Sequence, residues 1–231
     1  MPRELRRPIT YLITSGETSS STAPDDVEFG ALLRLIERAS EARVALVQIR
    51  EKELKARVLF ELASRAASLT RGSETRVVVN DRADIARASA CDGVHLSTRS
   101  LEANIVRRAF GEDFLIGVSA HTHAEASAAR EGGADFAVFG PLFDTPSKRA
   151  YGPPVGLEAL EETARALAPF PVVALGGVEE ANAGACLAAG AEGVAAIRLF
   201  ADGQNLARTV HLIEDSYARM RSARGARESE E

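Results

Sequence analysis

The sequence predicts a single α/β domain folded as a (β/α)8 TIM barrel, and three observations carry that prediction. Short apolar runs rich in Val, Ile, Leu and Phe alternate along the whole chain with longer segments of helical character built from Ala, Glu, Arg and Leu. The short runs are apolar throughout rather than at every second position, the pattern of parallel strands covered by helices on both faces. Eight such βα units fit within the 231 residues, and a barrel of this class takes roughly 200 to 250.

Taken in order, strand one spans 9–14 and runs into the polar stretch from Thr14 to Thr22, read as a low-complexity linker before a helix over 29–41. That stretch has neither the G-x-G-x-x-G spacing nor the Lys of a P-loop, which disfavours a doubly wound nucleotide-binding sheet. A strand over 44–50 precedes a helix over 55–70, a strand over 76–80 a short helix over 85–88, and a strand over 93–96 a helix over 101–110. The second half repeats the pattern: strand 115–119 and helix 124–131, strand 136–140 and helix 157–168, strand 172–175 and helix 181–189, strand 193–197 and helix 206–221. Gly133-Ala134-Asp135, Gly190-Ala191-Glu192 and the related Ala90-Cys91-Asp92-Gly93 precede strands as if one βα unit recurred. No composition break divides the chain, so residues 9–220 form one domain between a frayed lead-in, 1–8, and a charged tail, 221–231.

Hydrophobic residues at 45% and charged residues at 26% are ordinary for a globular core and exclude disorder. The net charge of -5 argues against a general nucleic-acid surface, so any anion site must be local. No apolar run approaches the roughly 18 residues of a membrane span. Arg3, Arg6 and Arg7 are not followed by the apolar segment of a secretory signal. Two cysteines, Cys91 and Cys186, make no disulfide framework, which points to a reducing cytoplasm and to small buried residues. A homo-oligomer is compatible with this composition; nucleic-acid and membrane partners are not expected.

In such a barrel the chemistry sits at the C-terminal ends of the strands. Strand two ends Val47-Gln48-Ile49-Arg50-Glu51-Lys52, and alternation turns Gln48, Arg50 and Lys52 towards the mouth as an anion clamp. Strand three ends Asn80-Asp81, oxygen donors suited to Mg2+ or, alternatively, a cap for the next helix. Strand five presents Ser119, a donor for phosphate, with His121, either a structural rim histidine or a proton shuttle; His123 begins the next helix facing solvent. After strand six, Thr145-Pro146-Ser147-Lys148 has phosphate-binding composition within a long, lid-like loop. Gly176-Gly177 and Ile197-Arg198 end strands seven and eight, where backbone amides and a cation suit a phosphate.

Together these residues resemble the thiamine phosphate synthases and the related thiazole tautomerases of thiamine biosynthesis. The resemblance runs from about Tyr11 to Phe200. It is carried by Gln48-Ile49-Arg50-Glu51-Lys52, Val79-Asn80-Asp81-Arg82, Asp92-Gly93-Val94-His95-Leu96, Gly117-Val118-Ser119-Ala120-His121-Thr122, Gly140-Pro141 with Thr145-Pro146-Ser147-Lys148, Gly176-Gly177 and Gly193-Val194. It implies a transferase that joins hydroxymethylpyrimidine diphosphate to thiazole phosphate, releasing pyrophosphate. Substrate binding would then fall to Gln48, Ile49, Arg50, Glu51, Lys52, Asn80, Ser119 and Lys148 on the pyrimidine side, and to Thr145, Pro146, Ser147, Gly177, Ile197 and Arg198 on the thiazole side. Asp81 would hold Mg2+, and Lys52, Ser119, His121 and Lys148 would be the catalytic residues. The chain departs from the family twice. It reads Ser97-Thr98-Arg99-Ser100 where synthases usually have Gly-Gln-x-Asp with a second Mg2+ carboxylate, and Arg198 where a Ser is common. The alternatives are a thiazole tautomerase-like enzyme and a catalytically silent barrel that binds phosphorylated precursors.

Overall fold

Every strand of the computed structural model, which describes residues 5–144 and 153–228, is parallel to the next, and β8 pairs back onto β1 to close an eight-strand barrel. The order is β1 Ile9–Ile13, α1 Val27–Glu41, β2 Leu46–Ile49, α2 Ala56–Leu69, β3 Arg76–Asn80, α3 Ala83–Ala88, β4 Gly93–Leu96, α4 Ala103–Phe110, β5 Leu115–Ala120, α5 His123–Glu131, β6 Phe136–Phe139, α6 Gly156–Leu167, β7 Val172–Leu175, α7 Glu180–Ala188, β8 Gly193–Ala196 and α8 Leu206–Glu228. A 3₁₀ turn, Arg198–Phe200, follows β8.

Two cores result from the alternation of side chains along each strand. Ile9, Tyr11, Leu46, Val78, Phe136, Val138 and Val173 fill the barrel interior. Their neighbours in sequence, such as Leu12, Val47, Ile49, Val79 and Phe139, face outwards beneath the helices. The helices answer with apolar stripes: Phe29, Leu32, Ile36 and Ala39 of α1, and Leu59, Leu62, Ala63 and Ala66 of α2. Strands buried on both faces explain why the sequence shows no polar alternation. Gly117 on β5 lets the interior close, because a Cβ there would come within 2.3 Å of Phe136 Cζ.

The recurring acidic residue before a strand is a brace at the N-terminal end of the barrel. Asp92, Asp135 and Glu192 each donate a backbone N–H to the preceding strand or its flank, at Val77 O, Ile116 O and Val172 O, over 2.8 to 2.9 Å. The Asp92 and Asp135 carboxylates also accept from Val77 N at 2.8 Å and Ile116 N at 2.7 Å. Each acid meets a cation: Arg76 at 3.5 Å from Asp92, Arg107 at 2.8 Å from Asp135, and Arg7 at 2.7 Å from Glu192.

Three boundaries differ from expectation. The described part of the lead-in is not frayed: Leu5 packs on the interior core, and Arg6 pairs with Glu214 and Glu74 as Arg7 does with Glu192. Residues 221–228 continue α8 rather than forming a tail, as Arg, Ala and Glu are good helix formers. The segment from Thr14 to Thr22 is no loose linker, since Thr14, Thr18 and Thr22 are buried and Glu51, just past the adjacent strand β2, holds the loop.

Candidate active site

Inward positions at the C-terminal ends of four neighbouring strands carry polar side chains: Gln48 on β2, Asn80 on β3, His95 on β4 and Ser119 on β5. Register brings them together. Asn80 pairs with His95 and His95 with Gly117, two residues before Ser119. Gln48 Nε2 donates to Asn80 Oδ1 over 3.2 Å, and Asn80 Nδ2 donates to Asp81 Oδ2 over 2.9 Å. Buried amides of this kind need partners, and each satisfies the next.

Asp81 closes this first network at the rim. Its carboxylate also accepts from Ser97 N at 3.0 Å, from the Ser97 hydroxyl at 3.4 Å and from the Ser100 hydroxyl. Partial burial pushes its pKa up, but the bonds from Ser100, Ser97 and Asn80 outweigh this and hold it below the ordinary carboxylate value. The carboxylate is therefore ionised at neutral pH. The helix-cap alternative for Asn80-Asp81 is not realised: α3 is preceded by Arg82, with no side-chain cap bond. Among the described residues no three His, Cys, Asp or Glu side chains cluster as a metal site. The Asp81 carboxylate is exposed at the rim and is met there by N–H and O–H donors, so it could give Mg2+ a single carboxylate contact, the rest of the shell being waters and substrate phosphates.

A second network lies deeper. Tyr11 OH and His95 Nδ1 are 3.0 Å apart, and His95 Nε2 and Ser119 Oγ 2.9 Å. Burial of the imidazole, opposed by the Asp81 charge and aided by Arg50, pushes its pKa down to about 4, so His95 is neutral at pH 7. Sequence reasoning gives His95 no role, although a histidine at an inward position of an apolar strand was the available signal.

The cations stand around these networks. Arg50 lies just past β2, its backbone N–H fixed by Thr14 Oγ1 at 2.8 Å, and Lys52 is exposed in the following turn. Arg198 opens the 3₁₀ turn, exposed, beside Ile197, which packs against the interior core. Among the described residues none of Arg50, Lys52 and Arg198 takes part in an ion pair, whereas Arg7, Arg76 and Arg107 all do. Gly176 and Gly177, at φ +95° and +69°, fold back on the loop after β6, where a Cβ on Gly177 would meet Phe143 Cβ at 2.7 Å.

Two of the expected binding side chains are turned elsewhere. Ile49 belongs to the outer core, as its parity in the strand demands. Glu51 is 3% exposed, and its carboxylate accepts from Gly16 N, Thr18 N and Thr18 Oγ1 at 3.1, 3.3 and 2.7 Å. It therefore positions the loop after β1. His121 Nδ1 pairs with Gly140 O, the geometry of a rim histidine. His123 begins α5, exposed as expected. Thr145, Pro146, Ser147 and Lys148 lie outside the described residues. The groove of about 510 Å3 between α1 and α2 is on the outer helical layer and includes none of these groups.

Comparison with known proteins identifies the family. The family model described as thiamine monophosphate synthase matches residues 11–200. The chain belongs to the thiamine monophosphate synthase family. Among curated members, a putative thiamine-phosphate synthase of Geobacter sulfurreducens is 49% identical over 166 residues, 72% of this chain and 78% of that protein. The thiamine-phosphate synthase of Moorella thermoacetica is 38% identical over 189 residues, 82% of this chain and 90% of its own. Among solved structures, thiamine phosphate pyrophosphorylase from Pyrococcus furiosus superposes with a TM-score of 0.75 at 25% identity, covering 90% of this chain and 97% of that one. Within the thiamine monophosphate synthase family, then, this member carries Ser100 on its Asp81 and an exposed Arg198 on its eighth strand end.

Proposed function

We propose that this chain is a thiamine-phosphate synthase, a transferase of thiamine biosynthesis that couples hydroxymethylpyrimidine diphosphate to thiazole phosphate and releases pyrophosphate. The observation that carries the reading is the group of cations that make no ion pair among the described residues, Arg50, Lys52 and Arg198, on the same barrel end as the Gln48–Asn80–Asp81 network.

Arg50 and Lys52 meet the diphosphate, with Lys148 from the loop after β6. Gln48, Asn80 and Ser119 orient the pyrimidine half. Arg198, Ile197 and Gly177, with Thr145 and Ser147, surround the thiazole phosphate. As the bond to pyrophosphate breaks, negative charge gathers on the leaving group and positive charge on the pyrimidine methylene. Fixed cations then stabilise the transition state more than the ground state. No nucleophilic side chain is needed. Asp81 is the residue that would hold Mg2+, which supplies charge neutralisation on the diphosphate when bound.

The reading is of an enzyme for small phosphorylated substrates in a reducing cytoplasm. Among the described residues no helix is long and apolar enough to cross a membrane. Cys91 and Cys186 are free and buried, and burial raises their thiols to about 12 and about 11, away from reactive thiolates.

The decisive measurement is pyrophosphate release from both substrates with Mg2+. Turnover that needs both substrates is expected, and no pyrophosphate from correctly folded protein would reject the synthase. Isomerisation of a thiazole carboxylate phosphate alone would favour the tautomerase, and binding without turnover the silent barrel.

A further inference from the structure

We infer that Tyr11 and His95 are positioning residues that fix the polarity of the Ser119 hydroxyl, making it an acceptor towards the barrel core and a donor towards an anionic oxygen at the mouth. The inference rests on the proposed function only for the identity of that oxygen. Tyr11 is fully buried, and among the described residues its hydroxyl has one hydrogen-bond partner, His95 Nδ1 at 3.0 Å. A phenol carries one proton that needs an acceptor. With a single partner available, Tyr11 O–H must donate, so Nδ1 accepts and carries no proton.

The neutral ring then holds its proton on Nε2, which lies 2.9 Å from Ser119 Oγ. Nε2–H donates to that oxygen and occupies one of its lone pairs. The serine proton has to point elsewhere, and Ser119 is half-buried at the end of β5, open towards the mouth. The opposite polarity would leave the Tyr11 proton without an acceptor in an apolar interior, a costly arrangement. An imidazolium fails for the same reason, since both ring nitrogens would donate.

The surroundings hold this geometry. Phe136 meets Tyr11 edge-on with ring centroids 5.8 Å apart, and lies 6.3 Å from the His95 ring. A Cβ at Gly117 would approach His95 Nδ1 to 2.9 Å, so the glycine leaves the imidazole its place.

Imidazole nitrogen shifts of the 15N-histidine-labelled full chain at neutral pH give the first test, with His95→Gln assigning the signal. The expected result is the Nε2–H tautomer for His95. An Nδ1–H tautomer or an imidazolium would overturn the inference, and neither outcome depends on whether the chain is a synthase. The second test is a double-mutant cycle in the pyrophosphate assay. Tyr11→Phe should lower kcat/KM for the pyrimidine diphosphate about 10-fold, as loss of an oriented bond to a charged group implies, and have no further effect in a Ser119→Ala background. Equal losses in both backgrounds would show that Tyr11 acts only through the fold. If Tyr11→Phe does not fold, the tautomer of the unaltered chain still decides.

Discussion

The two ends of the barrel handle charge in opposite ways. At the N-terminal end, Arg7, Arg76 and Arg107 each face an acid that also organises backbone before a strand. At the C-terminal end, Arg50, Lys52 and Arg198 make no ion pair among the described residues, and the carboxylates there are taken by other donors, Asp81 by hydroxyl and amide groups and Glu51 by Gly16 and Thr18. Paired charges in partly buried sites stiffen a scaffold. Cations held apart from acids keep their field for a ligand. The paired end suits stability and the other suits the anion chemistry proposed above, which is how this fold class divides its faces.

Substitutions at the two ends should separate activity from stability. Lys52 is exposed and makes no ion pair among the described residues, so Lys52→Ala should cut kcat/KM for pyrophosphate release by roughly 100- to 1,000-fold, as loss of a transition-state cation does, while leaving the urea midpoint unchanged. A substantial loss of stability, or full activity, would erase the distinction at the mouth. Asp135→Ala is the converse. It takes the acceptor from the Ile116 N–H and the carboxylate from Arg107, which keeps its bonds to the Gly111, Phe114 and Gly133 carbonyls, and denaturant unfolding should show a loss of about 1 to 3 kcal/mol, with kcat/KM per folded molecule kept. A variant as stable as the parent would show that the base is not braced by its acids.

The smallest effect belongs to the layer between the ends, where His95 sits. Its pKa is about 4 when folded, against 6.5 for a free imidazole. The unfolded chain therefore takes up more protons between those values, and this residue's contribution is complete above pH 6.5 and lost as the pH falls towards 4. Linkage sets the loss at about 2 kcal/mol between pH 7 and pH 5. Unfolding free energies across that window should slope less in His95→Gln than in the parent chain. Identical slopes would mean that His95 is not the buried neutral group described.

Much of the site is local in sequence. Gln48, Asn80 and Ser119 were legible because each is a polar residue at the end of an apolar strand, and period-two alternation puts Gln48 on the same side as Arg50. The same alternation turns Ile49 outwards, so including it among the binding side chains followed the motif rather than the parity. Glu51 is different. Nothing in its neighbourhood says that its carboxylate serves Gly16 and Thr18, more than 30 residues earlier. His95 was legible as an oddity and not as a link, because its partners Tyr11 and Ser119 stand 84 residues before it and 24 after it.

The sequence by itself determined the fold class, the order of the eight units, the recurrence of an acidic residue before alternate strands and most of the polar residues at the mouth. These follow from hydrophobic periodicity and from which residue types end each strand. Only the closed barrel decided which of those residues touch. Closure and register place inward residues of distant strands at one level, and the direction of each hydrogen bond is settled by the last buried proton that needs an acceptor, here on Tyr11.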